Sequence, residues 1–176
     1  LHGNPVIAQE PSYEIYGSEE LSGLTIFDQL MTKNEVLFIA TSDGLYTYNS
    51  ISFNRIEQAK GVKGNAFFRL REDGNGDVFC TNLSGQLFRI RNGKMIVFYE
   101  LPSELVAPFN NFILVKSGII INGNKTVLID KEGNFTKFLT KRYNWNNNKL
   151  YTEEVFADGD SIDFMHVSYT NMTLPT

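Results

Sequence analysis

The stretch Glu35-Val-Leu-Phe-Ile-Ala-Thr-Ser-Asp-Gly-Leu-Tyr-Thr-Tyr-Asn49 contains two strand-like runs joined by turn residues. The first run, Val36 to Ala40, is continuously apolar, as expected of a strand that is buried on both faces. Thr41-Ser-Asp-Gly44 is rich in residues that favour a tight turn. The second run, Leu45 to Asn49, follows directly. This stretch therefore predicts a β-hairpin whose first strand lies inside the molecule.

Two further segments of the chain repeat this pattern at a spacing of about forty residues, which is typical of four-stranded propeller blades. The second strands of the three segments are predicted at Val36–Ala40, Val78–Thr81 and Ile119–Ile121. Leu45, Leu87 and Val127 fall at one aligned position, and Phe53, Met95 and Phe135 fall at another. Glu19 to Met31 is the best helical candidate, but Gly23 and the β-branched residues beside it disfavour a helix.

The predicted fold is all-β, with β-propeller-type repeats of four-stranded antiparallel blades. We expect three blades at about residues 25–60, 64–101 and 109–140, followed by a loop and a partial fourth blade over residues 141–176, a low number for a propeller. Residues 1–24 form an N-terminal extension, predicted to be a capping segment and the remnant of a secretory signal. The second expectation rests on Pro5-Val-Ile-Ala-Gln9, which is similar to the end of such a signal.

Composition excludes some classes of partner and site. The 176 residues are 42% hydrophobic and 20% charged, which is typical of a folded globular chain. The net charge of -4 and the lack of a Lys/Arg stripe argue against nucleic acid as a partner. The single cysteine, Cys80, lies in an apolar run and is expected to be a buried thiol. We predict no cofactor.

Asp73, Asn75 and Asp77 alternate as ligands do at the start of a helix-loop-helix calcium site. Such a site needs Gly at the sixth position and Glu at the twelfth, where this chain has Val78 and Ser84. We therefore interpret Asp73 to Asp77 as the hairpin between the first two strands of the second blade. Its carboxylates are expected to keep an exposed turn soluble and to accept hydrogen bonds from turn amides.

Three motifs carry a resemblance to the two-component regulator propeller repeat. They are Ala40-Thr-Ser-Asp-Gly-Leu-Tyr-Thr-Tyr-Asn49, Arg71-Glu-Asp-Gly-Asn-Gly-Asp-Val-Phe79 and Asn92-Gly-Lys94. The chain departs from the family at Phe38 and Phe79, where Trp is usual. The resemblance implies an extracytoplasmic sensor region of a bacterial histidine kinase or hybrid regulator. Such a region binds a small molecule or carbohydrate and signals through a membrane helix and a kinase in sequence that is not present here.

Three blades and a part of a fourth would leave an open array with unpaired edges. Two copies of the chain could close a larger ring, so a homodimer is one hypothesis, and a truncated array is the other. Light scattering distinguishes them, because a monomeric mass together with a stable fold would exclude the dimer.

The most distinctive candidate site is the loop Lys141–Lys149, which holds the only Trp of the chain. Tyr143 and Trp145 could stack on a sugar ring while Asn144 and Asn146 bind its hydroxyl groups. Alternatively, Trp145 packs on a blade edge and the asparagines form a solvated connector.

A second acidic cluster, Asp158, Asp160 and Asp163, could hold a cation, although a surface turn is the alternative. No Gly-x-Ser-x-Gly motif occurs, and paired carboxylates alone do not establish a glycosidase. The chain is therefore predicted to be non-catalytic. The alternative function is a β-propeller scaffold for protein–protein interaction, without a small ligand.

Overall fold

The computed structural model describes residues 15–107 and 111–139, together with the backbone of two strands at 152–158 and 161–167. In these residues no helix is long and apolar enough to cross a membrane. The only helical element described is a short 3-10 turn, Ser103–Leu105. The remaining elements are strands, so the predicted all-β class is confirmed.

The described strands form three four-stranded antiparallel sheets and a two-stranded hairpin. The first sheet contains β1 (Ile26–Met31), β2 (Leu37–Thr41), β3 (Gly44–Tyr48) and β4 (Phe53–Arg55). The second contains β5 (Phe68–Glu72), β6 (Val78–Thr81), β7 (Gln86–Arg91) and β8 (Lys94–Glu100). The third contains β9 (Asn111–Val115), β10 (Gly118–Asn122), β11 (Thr126–Ile129) and β12 (Phe135–Leu139). The hairpin is β13 (Thr152–Asp158) and β14 (Ser161–Val167). Each sheet follows chain order, which confirms the predicted four-stranded repeats.

The second sheet buries both of its faces. One face packs against the first sheet through Val78, Cys80, Phe88 and Ile90, which join Ala40 and Leu45 in one apolar core. The other face packs against the third sheet through Phe79 and Leu87, which join Phe112, Ile119, Ile121, Val127 and Ile129 in a second core. Adjacent residues of a strand point to opposite faces, so a continuous apolar run fills both cores. Cys80 is buried, as predicted, and burial raises the pKa of its thiol.

Neighbouring sheets approach one another at their first strands. β5 lies beside β1, β9 lies beside β5, and β13 lies beside β9. The sheets therefore succeed one another in chain order, with their first strands adjacent, and the hairpin follows the third sheet in the same way.

Leu45, Leu87 and Val127 are each the second residue of the third strand of their sheet, so the aligned position is confirmed. Leu45 and Leu87 each face the sheet that follows their own, whereas Val127 faces the sheet that precedes it. Equivalent strand positions therefore do not present the same face in all three sheets.

One type of turn recurs between strands of all three sheets. Asp73, Asn82 and Asp130 each accept, through one side-chain oxygen, two backbone N–H groups further along their own turns. The fourth residue of these turns is a glycine with positive φ, as at Gly76. Glu35 takes that position in the turn that begins at Thr32, with φ 60°. A local side-chain cap and a left-handed fourth residue therefore shape these hairpins.

A buried amide network ties the connection between the first two sheets to the second sheet. The Gln86 side chain is completely buried. Its Oε1 accepts the Lys63 amide at 2.8 Å and Asn82 Nδ2 at 3.0 Å, and its Nε2 donates to Gly61 O and Glu100 Oε2 at 2.9 Å each. Lys63 Nζ also pairs with Glu100, and hydrogen bonds from Lys63 and Gln86 lower the pKa of Glu100. Gln86 has thus used all its hydrogen-bonding capacity, as a buried amide requires.

The first strands of the first and second sheets each contain a bulge, and one aspartate joins them. The strand register shifts between Ile26 and Asp28 in β1 and between Phe68 and Arg71 in β5. A bulge leaves backbone groups outside the ladder. Asp28 Oδ2 accepts the amide of Leu70 at 2.8 Å, so the carboxylate of the first sheet satisfies an amide freed by the bulge in the second.

We expect Asp28→Ala to lower the free energy of unfolding by about 1–3 kcal/mol, because the amide of buried Leu70 loses its acceptor. Asp28→Asn is the matched control, since its side-chain oxygen can still accept. Urea titration followed by circular dichroism measures both. Equal stabilities of the alanine and asparagine variants would show that this hydrogen bond does not hold the two sheets together.

Candidate ligand-binding site

A groove of about 900 Å³ separates the second and third sheets at the end where the β5–β6 turn lies. We call it the inter-sheet groove. Its second-sheet wall consists of residues from the β5–β6 turn, β7 and β8, namely Glu72, Asp73, Gly74, Asn75, Asp77, Phe79, Arg89, Arg91 and Phe98. Its third-sheet wall consists of Leu114, Val115, Lys116, Gly118 and Ile119, with Lys131 and Glu132 from the β11–β12 turn. A volume of this size is within the range of small-molecule sites.

Strand register explains why the charged groups of the second sheet share one face. Val78 pairs with Ile90 and Phe79 pairs with Arg89 across β6 and β7. Asp77, directly before β6, therefore lies beside Arg91. Alternate residues of a strand share a face, so Asp77, Phe79, Arg89 and Arg91 line the same wall.

Asp77 is the most buried charged group of this wall, with only 6% of its side chain exposed. Arg91 donates from Nε to both carboxylate oxygens, at 2.8 and 2.9 Å, and from its terminal nitrogen to Oδ2. This two-pronged pair raises the pKa of Arg91, first through the hydrogen bonds and then through the charge of Asp77. Both carboxylate oxygens of Asp77 are therefore occupied by hydrogen bonds from Arg91.

Arg89 differs from Arg91 because it lacks a hydrogen-bond acceptor in the described structure. Its Nε is buried without a partner, and the nearest carboxylate oxygen, Asp77 Oδ2, lies 4.0 Å away. The guanidinium carbon lies 5.0 Å from the centre of the Phe98 ring, a cation–π distance. Phe98 is held edge-to-face by Phe79 at 5.5 Å. Aromatic packing thus orients a guanidinium whose donors are not used by the described residues.

Two glycines of the third sheet permit close approach, Gly133 to the second sheet and Gly118 to β11 of the third sheet itself. A Cβ atom at Gly133 would lie 2.7 Å from the backbone oxygen of Phe98, so the β11–β12 turn reaches the second sheet only with glycine at this position. A Cβ at Gly118 would lie 2.0 Å from the Ile129 oxygen. The β11–β12 turn also places Lys131, whose side chain is exposed and makes no ion pair with the described residues, at the rim of the inter-sheet groove.

The predicted turn at Asp73 to Asp77 is confirmed for one carboxylate and wrong for the other. Asp73 accepts the amides of Asn75 and Asp77 at 2.8 and 2.9 Å, as expected of a turn cap. Asp77, expected to be in an exposed turn, is instead buried against Arg91, because β6 places it on the face that packs toward the third sheet. Across the part of the chain that the structure describes, no group of three His, Cys, Asp or Glu residues could hold a metal ion.

Two of the other predicted site residues, Asp158 and Asp163, lie in described strands. Tyr143, Asn144, Trp145 and Asn146 lie outside the described residues. Asp158 ends β13 and pairs with Ser161, Asp163 of β14 pairs with Phe156, and Asp160 lies outside the described residues.

The sequence reasoning missed Arg89, Arg91 and Phe98. A signal was present in Gln86-Leu-Phe-Arg-Ile-Arg91, where two arginines alternate with apolar residues in a strand expected to be internal. Charged residues are almost never buried unless they are paired. These two arginines therefore indicated either a buried partner or a site, and Asp77 at the start of the neighbouring strand was the nearest candidate.

Comparison with known proteins leaves this geometry as the main guide to function. No family model matches the chain, and no curated protein matches it.

We expect Asp77→Ala to destabilise the protein by about 2–4 kcal/mol, because Arg91 loses a charged partner and two arginines are left side by side. Asp73→Ala, in the same turn, removes only hydrogen bonds to turn amides and should cost about 1 kcal/mol. Thermal unfolding followed by circular dichroism compares the two variants. An Asp77 variant no less stable than the Asp73 variant would contradict a structural role for the ion pair.

Proposed function

We propose that this chain is a ligand-binding sensor module of a bacterial two-component signalling protein, and that it binds a small molecule or carbohydrate outside the cytoplasm. The observation that carries the proposal is the inter-sheet groove, in which an aromatic wall presents Arg89 with unused hydrogen-bond donors. Small-molecule sites commonly combine an apolar wall with a few fixed polar groups.

The resemblance to the two-component regulator propeller repeat supports the signalling part of the proposal. Two of the motifs that carry it, Ala40–Asn49 and Arg71–Phe79, form turns and strands of successive sheets. Under this proposal the three sheets are blades of a propeller, and β13 with β14 begins a fourth. The array would be closed by further blades or by a second copy of the chain, and the kinase would lie in another part of a longer protein.

Two of the four carboxylates that line the groove, Asp73 and Asp77, are arranged for binding and not for catalysis. Asp77 is held by Arg91, and Asp73 is held by turn amides, so neither carboxylate is placed to transfer a proton. A general acid or base must lie within hydrogen-bonding reach of the reacting atom and be free to exchange its proton. The described wall residues supply ion pairing, hydrogen bonding and aromatic contact, which are sufficient for recognition.

A scaffold for protein–protein interaction is the second candidate, and exposed apolar residues of the first sheet favour it. Met31 and Ile26 of β1 are 60% and 51% exposed, and Ile51, between β3 and β4, is 88% exposed. Exposed apolar residues on one sheet can contact a partner when they form a continuous patch. The scaffold needs no small ligand, and this is the difference that an experiment can detect.

A thermal-shift screen with mono- and oligosaccharides and small metabolites tests the proposal. A compound that binds only the folded protein at a hundred times its Kd adds about 2.7 kcal/mol to stability and should raise Tm by several degrees. Glu132→Trp should abolish the shift by filling the inter-sheet groove from its exposed rim. Lys60→Trp is the matched control, because Lys60 is exposed and is not a groove residue.

Two results would contradict the proposal. A complete screen without any saturable shift would leave the scaffold as the better interpretation. A shift that persists unchanged in Glu132→Trp would place the ligand elsewhere and remove the groove as its site.

A further inference from the structure

The inter-sheet groove carries a charge imbalance at its base. Asp77 is a single carboxylate placed between two guanidinium groups, and it makes hydrogen bonds only to Arg91. Arg89 is therefore a cation without a hydrogen-bonded counter-ion among the described residues, although 77% of its side chain is shielded from solvent, since 23% is exposed. Partly buried charges interact more strongly than exposed ones, because solvent and salt screen them less.

The other carboxylates that line the groove make no ion pair with this cation. Asp73 Oδ1 accepts two turn amides and its Oδ2 accepts Asn75 Nδ2. Glu72 Oε2 accepts the amide of Lys33 at 3.0 Å. On the facing wall, Lys131 and Glu132 are adjacent in the β11–β12 turn, so the rim there carries one charge of each sign.

The aromatic wall fixes the guanidinium for recognition. Phe98 lies against one face of the Arg89 group, and Phe79 in turn supports Phe98. A guanidinium is planar, and two of its parallel N–H donors match the two oxygens of a carboxylate, phosphate or sulfate. Stacking on an aromatic ring reduces the side-chain freedom that binding would otherwise cost.

We propose that the inter-sheet groove binds a small molecule through an oxyanion group, with Arg89 as the main contact and Lys131 as a second positive group across the opening. This inference rests on the proposed ligand-binding function and specifies the chemistry of the ligand. Recognition combines a charge-assisted hydrogen bond at the base of the groove with contact between the rest of the ligand and Phe98.

Matched pairs of probes test the inference by isothermal titration calorimetry and thermal shift. The pairs are glucuronate with glucose, glucose 6-phosphate with glucose, and benzoate with benzamide, and inorganic sulfate tests the oxyanion alone. At least one anionic probe should bind at least tenfold more tightly than its neutral partner. Its affinity should fall as salt rises, because a charge pair is screened. Glucuronate, glucose 6-phosphate and benzoate differ in their oxyanion and in the ring that carries it. The order of their affinities therefore shows which oxyanion and which ring the groove prefers.

Variants separate Arg89 from the general charge of the protein. Arg89→Gln should lower the affinity for the preferred anion at least tenfold. Arg89→Lys should lower it less, because lysine keeps the positive charge but lacks the paired N–H donors of the guanidinium. Arg55→Gln is the matched control, since Arg55 is an exposed, ion-paired arginine of the first sheet outside the groove. Circular dichroism establishes whether each variant is folded. If Arg89→Gln does not fold, the anion affinity of Arg89→Lys is compared with that of the wild type instead.

The outcomes distinguish this inference from the proposed function. Binding of a neutral compound in the thermal-shift screen, with no preference for any anionic probe, would overturn the inference and leave the sensor proposal intact. Absence of binding by any compound would overturn both. Equal anion affinity in the wild type and Arg89→Gln would also overturn the inference, because it would indicate nonspecific attraction.

Discussion

Burial of the second sheet on both faces is the constraint on which the rest of the structure depends. Val78 and Cys80 pack toward the first sheet, while Phe79 between them packs toward the third. Any polar group carried by these strands must find a partner, because water does not reach it. Gln86 and Asp77 show the two solutions, one through a complete set of amide hydrogen bonds and the other through an arginine pair. Arg89 is the exception on these strands, because its buried Nε has no hydrogen-bond partner among the described residues.

Much of the fold could be predicted from the sequence, because local patterns encode strands and turns. Apolar runs such as Val36–Ala40 indicated internal strands, and Asn92-Gly93 indicated a tight hairpin, which the pairing of Arg91 with Lys94 confirms. The turn at Asp73 was also predicted, since its side chain and the following glycine act within a few residues. The face of each strand was harder to predict. Leu45, Leu87 and Val127 occupy equivalent strand positions, yet Val127 faces the sheet that precedes its own, whereas the other two face the sheet that follows.

The inter-sheet groove could not be predicted in the same way, because its walls are about forty residues apart in sequence, the spacing of the four-stranded repeat. Nothing near Arg89 in the chain indicates that Phe98 will lie beneath it, or that the Lys131 turn will face it. Those contacts depend on the strand register and on the spacing between sheets, which Gly133 permits by its lack of a side chain. The loop around Trp145 was more conspicuous in the sequence because its residue types are unusual, and it lies outside the described residues.

The two walls of the groove belong to separate sheets that share an apolar core, and Phe79 and Ile119 belong to both the core and the groove. A molecule seated in the groove would therefore contact both sheets at the edge of their shared core. Its size and shape would favour one angle between the sheets over others. In an array whose members contact only their neighbours, such a change in pitch is passed from one sheet to the next.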